Sequence, residues 1–435
     1  MATIGERVTS DKAARHDGRG RDADFRKLWA ALSVSLLGSQ VTALALPLLA
    51  ALTLGASPVQ MGLLVAAGQL PFLLVSLPAG VWIDRVRRRP ILIATDLGCA
   101  LLLLSVPLAA ALGRLHFAQL CLVAFGVGVL AALGEIAHYA YVPSLVGREE
   151  LVEANSRMQI SHSAASSAGP GIGGLLVQLL SAPLAVFVDA ASFLLSALLL
   201  RAIARPEPPA ALPVQAEPPL RAILAGLRSL LGHPLLRPII LSSIAAGLCL
   251  GALDALFVLY AIRELRLGPA TLGLIFAIGG ACAIPGAVLA RWAARRWGVG
   301  PAILGGWVLE AGAALLIPLA AGPAALVIAL LIAAQALAGL TGTVANIHQW
   351  SLRQAVTPDA LQGRVTASHR FLVYGAGAIG ALLGGFLGAG VGLRPALFVC
   401  ITGTILARLA AIPTPLRRLR EQPTGAGETA AAETV

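Results

Sequence analysis

The sequence predicts an all-α membrane protein with 12 transmembrane helices arranged as two six-helix bundles. Three observations predict it. The 435 residues are 57% hydrophobic and only 12% charged, with a mean hydropathy of +0.84, whereas soluble domains carry about 25% charged residues. Twelve apolar runs reach or approach the roughly 20 residues that cross a bilayer. The basic residues collect on one side of the alternation these runs impose.

In order, the first six runs are Leu28–Leu54, Val59–Ile83, Ile91–Leu112, Phe117–Ala140, Met158–Leu180 and Leu184–Leu200. The second six are Ile239–Ala261, Ala270–Ala290, Ala302–Leu319, Ala324–Ile347, Phe371–Gly390 and Ala396–Ile412. Between them lies a connector punctuated by Pro206, Pro208, Pro209, Pro213, Pro218 and Pro219. The expected units are therefore a tail (1–26), a bundle (27–203), a connector (204–236), a second bundle (237–414) and a closing tail (415–435). Residues 1–26 are polar and lack the apolar core of a signal peptide, so they read as an irregular tail. The stretch after Pro415 is polar and of low complexity.

Orientation follows from charge. With the amino terminus inside, 28 of the 32 Lys and Arg residues fall on the cytoplasmic side, leaving Arg114, Arg263, Arg266 and Arg394 outside. That bias predicts a multi-pass plasma-membrane protein with both termini cytoplasmic. Trp29, Trp82, Trp292, Trp297, Trp307 and Trp350 are all expected at or near cytoplasmic helix ends. The net charge of +11 then reflects the membrane face rather than nucleic-acid binding. Cys99, Cys121, Cys249, Cys282 and Cys400 lie inside apolar runs without ligand spacing, so they read as small buried side chains, and no metal or cofactor is expected.

The halves repeat. Gly80-Val81-Trp82-Ile83-Asp84-Arg85-Val86-Arg87-Arg88-Arg89-Pro90 joins the second and third runs. It returns as Gly286-Ala287-Val288-Leu289-Ala290-Arg291, followed by Arg295 and Arg296, with Ala290 in place of Asp84. Two similar bundles rocking about a central site would expose it to each side in turn.

The Gly80–Pro90 loop resembles the loop between helices two and three of the major facilitator superfamily, through Gly80, Asp84, Arg85, Arg88 and Arg89; the family often has glycine where this chain has Arg87. The resemblance extends across nearly the whole chain. It includes Gly38-Ser39-Gln40, Ala45-Leu46-Pro47-Leu48, Pro71-Phe72, Asp96, Glu135, Pro143-Ser144-Leu145-Val146 and Gly169-Pro170-Gly171-Ile172-Gly173-Gly174 in the first half. The second half adds Ser351-Leu352-Arg353-Gln354, Thr357-Pro358, Gly363-Arg364-Val365 and Arg370. The chain is most similar to the branch holding macrolide-efflux proteins and the enterobactin exporter. Two departures stand out. Drug–proton antiporters of a neighbouring branch carry an arginine inside helix four, but here none lies between Arg114 and Arg148, and the helix-five motif has Ala165 where glycine is usual.

The resemblance implies a conformational latch, in which Asp84 and its arginines hold the start of the eleventh span near Ser368 and His369; as a bare loop the same residues would only set topology. It also implies that Gly169, Pro170, Gly173 and Gly174 make a close contact between the fifth span and the other half; plain small-residue packing gives the same pattern. Ionisable groups inside spans are functional candidates because burying charge in lipid is costly. Asp96 and Glu135 lie toward the cytoplasmic side, where salt bridges to the arginine loops are the simpler role, and Asp189 near an outer end reads as solvated. Asp254 and Glu310 sit deeper with no arginine close in sequence. They suit proton coupling or a cationic substrate, since burial favours a carboxylate's protonated form. Gln40 and Gln335 fall near mid-depth, and Ser39, Thr42, His348 and Tyr374 could face a cavity, whereas His116, His138 and His162 read as solvated helix ends.

With only Asn155 and Asn346 as asparagines, the interior is poor in the matched donors and acceptors a sugar site needs. An apolar, loosely specified cavity suits a hydrophobic or amphipathic compound. The expected function is proton-driven efflux of such molecules by a monomer embedded in the bilayer, with uptake or flipping of a nutrient or lysolipid as the alternative. The absence of a metal-ligand cluster, a GxSxG or a phosphate loop argues against an enzyme, and the short outer loops argue against a receptor.

Overall fold

The computed structural model describes residues 2–83, 85–205, 207 and 219–423. Asp84, most of the proline-rich connector and the end of the closing tail lie outside the described residues. The first half contains α1 (Ala2–Leu52), α2 (Pro58–Ile83), α3 (Arg88–Ala111), α4 (Phe117–Leu145), α5 (Leu151–Leu179) and α6 (Ala182–Arg201). Then follow α7 (Pro219–Gly232), α8 (Leu236–Arg263), α9 (Pro269–Trp297), α10 (Val299–Ala314), the single turn α11 (Leu316–Leu319), α12 (Ala324–Val356), α13 (Asp359–Val391) and α14 (Leu393–Leu409). No strand occurs among the described residues.

Every one of the predicted runs is helical. Ten described helices are long and apolar enough to cross a membrane. The other two predicted spans are α5, whose polar Asn155, Ser161, His162 and Ser166 dilute its hydropathy, and α14, which is only 17 residues long.

The repeat is visible in the packing. In the first half α1 meets α5 and α6, α2 meets α4, and α3 meets α4 and α6. In the second half α8 meets α13 and α14, α9 meets α12, and α10 meets α12 and α14, so each contact has its counterpart. The seam between halves obeys the same symmetry: α2 packs on α13, and α9 packs on α5.

The apolar core is fused at one end only. One cluster runs through both halves, from Leu44, Leu48 and Val186 to Leu256, Phe257 and Leu397. At the basic end the halves keep separate cores, one around Leu28, Tyr141 and Met158, the other around Ile240, Ile303 and Leu352.

One expectation is corrected, and two further segments carry structure the sequence reading left undescribed. The amino-terminal segment continues the helix of the first span rather than forming an irregular tail, because extending an existing helix adds one hydrogen bond per residue fixed. The connector contains α7, opened by Pro219, whose ring suits a first helical turn, and this helix packs on α13. The closing tail begins with a docked turn, Pro415–Arg418, in which Leu416 is fully buried. Val299 N–H and Gly300 N–H donate to the carbonyls of Arg420 and Leu419 at 3.1 and 2.9 Å.

Candidate functional site

The second half encloses a chamber of about 390 Å³ lined by α8, α9, α10, α12 and α14. Three predicted residues meet there: Asp254 from α8, Glu310 from α10 and Gln335 from α12. At 1.5 Å per residue, Asp254 lies about 27 Å along α8 from its basic end. Its neighbours Ala255 and Leu256 are completely buried, yet Asp254 itself is open to the chamber. A methyl on Gly342 would press on the Glu310 carboxylate, so α12 backs that side chain closely.

The chamber also holds a residue the sequence did not single out. Arg408 is one of the 28 basic residues that the charge bias assigns to the cytoplasmic side, and Trp307 is expected at that end too. Instead Arg408 is 8% exposed and lines the chamber, its guanidinium stacked 4.3 Å from the Trp307 ring, itself 3% exposed. Arg408 stands in the last turn of α14, as its position implies, but stacking on the indole holds its planar cation inward. Its Nη1 donates to Ser242 Oγ at 3.4 Å and its Nε has no partner. Arg353, also counted as basic-face charge, is 3% exposed and stacks over Trp350. Both are long side chains that turn inward onto an indole instead of snorkelling outward.

The first half encloses a smaller chamber of about 200 Å³ between α1, α3, α4, α5 and α6. It brings together Asp96, Glu135 and Ser39, as well as His138 and His162, which had been read as solvated. His138 is 8% exposed and its Nε2 has no partner, because α4 extends to Leu145 and places it inside. Asp96 makes no ion pair among the described residues, and its Oδ2 is unpartnered. Glu135 reaches across the seam instead of to the arginine loops of its own half, accepting from Arg370 Nη1 of α13 at 3.2 Å.

Asp189, expected to be solvated, is 1% exposed between α6 and α1, and accepts from Ser192 Oγ at 3.1 Å. Glycine at position 38 leaves the space its carboxylate fills. Gln40 reaches neither chamber closely enough to line it and packs on Gly169. Thr42 is buried, His348 Nε2 bonds the Ala290 carbonyl at 2.9 Å, and Tyr374 stacks on Phe72 across the seam at 5.4 Å.

The predicted glycine motif has two working faces. Gly169 and Gly173, four residues apart, lie against Gln40 and Val41 of α1. Gly171 and Gly174 face α9, where a methyl on Gly174 would run into the Pro269 carbonyl and the Gly273 backbone; the Pro170 carbonyl lies equally close to Gly273. On the other strip of the seam Gly62 faces the Ala381 carbonyl and Gly385. Arg263 Nη2 donates to the Ala56 carbonyl at 2.8 Å and Ala270 N–H to Gln178 Oε1 at 3.1 Å, so the arginine-poor end is stitched shut between halves.

Of the expected latch, Gly80 lies in α2, Asp84 lies outside the described residues, and Arg85 is exposed. Arg88 and Arg89 hold their own half: their N–H groups donate to the Glu207 carboxylate at 2.6 and 3.0 Å. The Arg89 guanidinium donates to the carbonyls of Leu200 and Arg201 that end α6. Asp24 grips the same connector by accepting from Ala204 and Arg205 N–H at 3.2 and 2.9 Å. Ser368 is fully buried where α13 meets Gly226 of α7, and His369 faces Gln349 at 3.4 Å. These connector contacts carry no sequence signal beyond Glu207, one of two glutamates among the connector's prolines.

The family model of the Major Facilitator Superfamily matches residues 28–381. The multidrug efflux pump Tap of Mycolicibacterium fortuitum is 30% identical over 407 residues, covering 91% of this chain and 95% of the relative. The enterobactin exporter EntS of Citrobacter koseri is 27% identical over 410 residues, covering 92% and 94%. Among solved structures, an inward-facing bacterial homologue of the iron transporter ferroportin superposes with a TM-score of 0.71 at 19% identity, covering 90% of this chain and 98% of that one.

Proposed function

Because this chain belongs to the major facilitator superfamily and is a multi-span membrane transporter of small molecules, we propose that it exports hydrophobic or amphipathic compounds, driven by the proton gradient through alternating access. The basic end faces the cytoplasm, and the described conformation, fused at the other end, is the one open inward. The observation that carries this reading is the second-half chamber: about 390 Å³, walled mainly by Leu, Phe, Ala and Gly, with Asp254 and Glu310 as its acids. That volume is in the range of a drug-sized site. Asp254 and Glu310 are the acidic groups available there to exchange a proton for cargo. Tap is a multidrug efflux pump and EntS an enterobactin exporter, and outward transport by both relatives supports the direction.

The test is accumulation of a hydrophobic dye in an efflux-deficient host expressing the wild type, Asp254→Asn or Glu310→Gln. Wild-type cells should retain less dye, a protonophore should abolish the difference, and at least one variant should lose it. Unchanged accumulation across a broad compound panel would sink the proposal.

A further inference from the structure

We propose that the second-half chamber is a two-pole site for zwitterionic amphiphiles, with Arg408 taking the acidic group of the cargo and Asp254 its amine. The proposal rests on the export reading above and names the cargo class of the same site. Three observations converge on Arg408. It is buried, it lines the same chamber as Asp254 and Glu310, and of its five N–H donors only Nη1 has a hydrogen-bond partner, at the long distance of 3.4 Å. Guanidinium stays charged in any protein setting, so this is a fixed positive pole inside an apolar wall.

Glu310 is near enough for its charge to act on Arg408, but the two form no ion pair within 4.0 Å among the described residues. The positive pole is therefore left incompletely neutralised, a costly state that a bound anion relieves. Trp307 holds the guanidinium carbon 4.3 Å from its ring centroid, and a guanidinium can meet a carboxylate through paired N–H donors. Asp254 opens into the same space from α8 and supplies the negative pole. A neutral amphiphile satisfies neither pole, and a simple cation satisfies one.

Ciprofloxacin, which carries a carboxylate and a piperazine amine, and its methyl ester form a matched probe pair for titration calorimetry on the full-length protein in nanodiscs. The acid should bind the wild type about tenfold more tightly than the ester, the range of one charged hydrogen-bonded contact. Arg408→Gln should bring the two affinities together, and Arg408→Lys should keep part of the preference. Equal affinities on the wild type, no binding of either probe, or a preference that survives Arg408→Gln would overturn the assignment. So would Glu310→Gln abolishing the preference as fully as Arg408→Gln, since Arg408 would then be only a counter-ion to Glu310. Efflux of a permanently cationic dye judges the export reading separately: it can persist when the acid–ester preference is absent.

Discussion

Adding a single methyl at Gly174 should unlock the arginine-poor end. An alanine Cβ there would lie 2.8 Å from Gly273 Cα and 3.0 Å from Gly273 N, besides meeting the Pro269 carbonyl. Comfortable contact between carbons needs about 3.5–4.0 Å, so α5 and α9 must part by about 1 Å. Both obstacles are helix backbone, which cannot swing aside. Overpacking of this kind costs about 1–3 kcal/mol. The cost falls on the conformation in which the halves touch here and vanishes when they separate. The helix-propensity gain of alanine over glycine, about 0.5–1 kcal/mol, is common to both conformations and cancels. The closed population should therefore fall about 5–150-fold relative to the open one. Double electron–electron resonance between spin labels at Leu180 and Glu264 would read this as a new, longer distance. Gly312→Ala is the control, since a methyl there meets nothing within 4 Å. An unchanged distance distribution in folded Gly174→Ala would refute the claim that this contact sets the closed state.

Two further outcomes follow from contacts at the basic end. Glu207→Gln weakens two charge-assisted bonds to the start of α3 and should lower stability by about 1 kcal/mol, seen as a reduced melting temperature and faster proteolysis within the connector; an unchanged melting temperature would refute the clasp. The Glu135–Arg370 pair is partly exposed at both partners, so it contributes about 0.2–1 kcal/mol; Arg370→Glu should widen the label distance at the basic end and Glu135→Arg combined with Arg370→Glu should restore it, whereas failure of the double reversal would show that the pair does not hold the halves.

Spans, repeat and the glycine motif were legible because each is written as local pattern: apolar length, recurring loop residues, small residues four apart. The chambers were legible only in part. Asp254, Glu310 and Gln335 converge as their depth suggested, but Arg408 and Trp307 were assigned by distance from a helix end, and a long side chain's direction is not a property of its sequence position. The same holds for His138, whose helix runs beyond the apolar stretch, and for Asp189, whose burial depends on glycine at position 38 in another helix. Gln40 shows the reverse error, since mid-depth on a span does not say which face meets Gly169.

Under the proposed alternating access, the lopsided core sets how energy would be spent in each cycle. To face the other way, the molecule has to part the side chains around Leu48, Val186, Leu256 and Leu397, along with the Arg263–Ala56 and Ala270–Gln178 hydrogen bonds. The opposing jaw must supply the compensation as it shuts, through whatever oil and ions its two islands of side chains can bring into register. Mutations far from any cargo, at the rim where those islands meet, should therefore tune turnover as strongly as changes in the pockets.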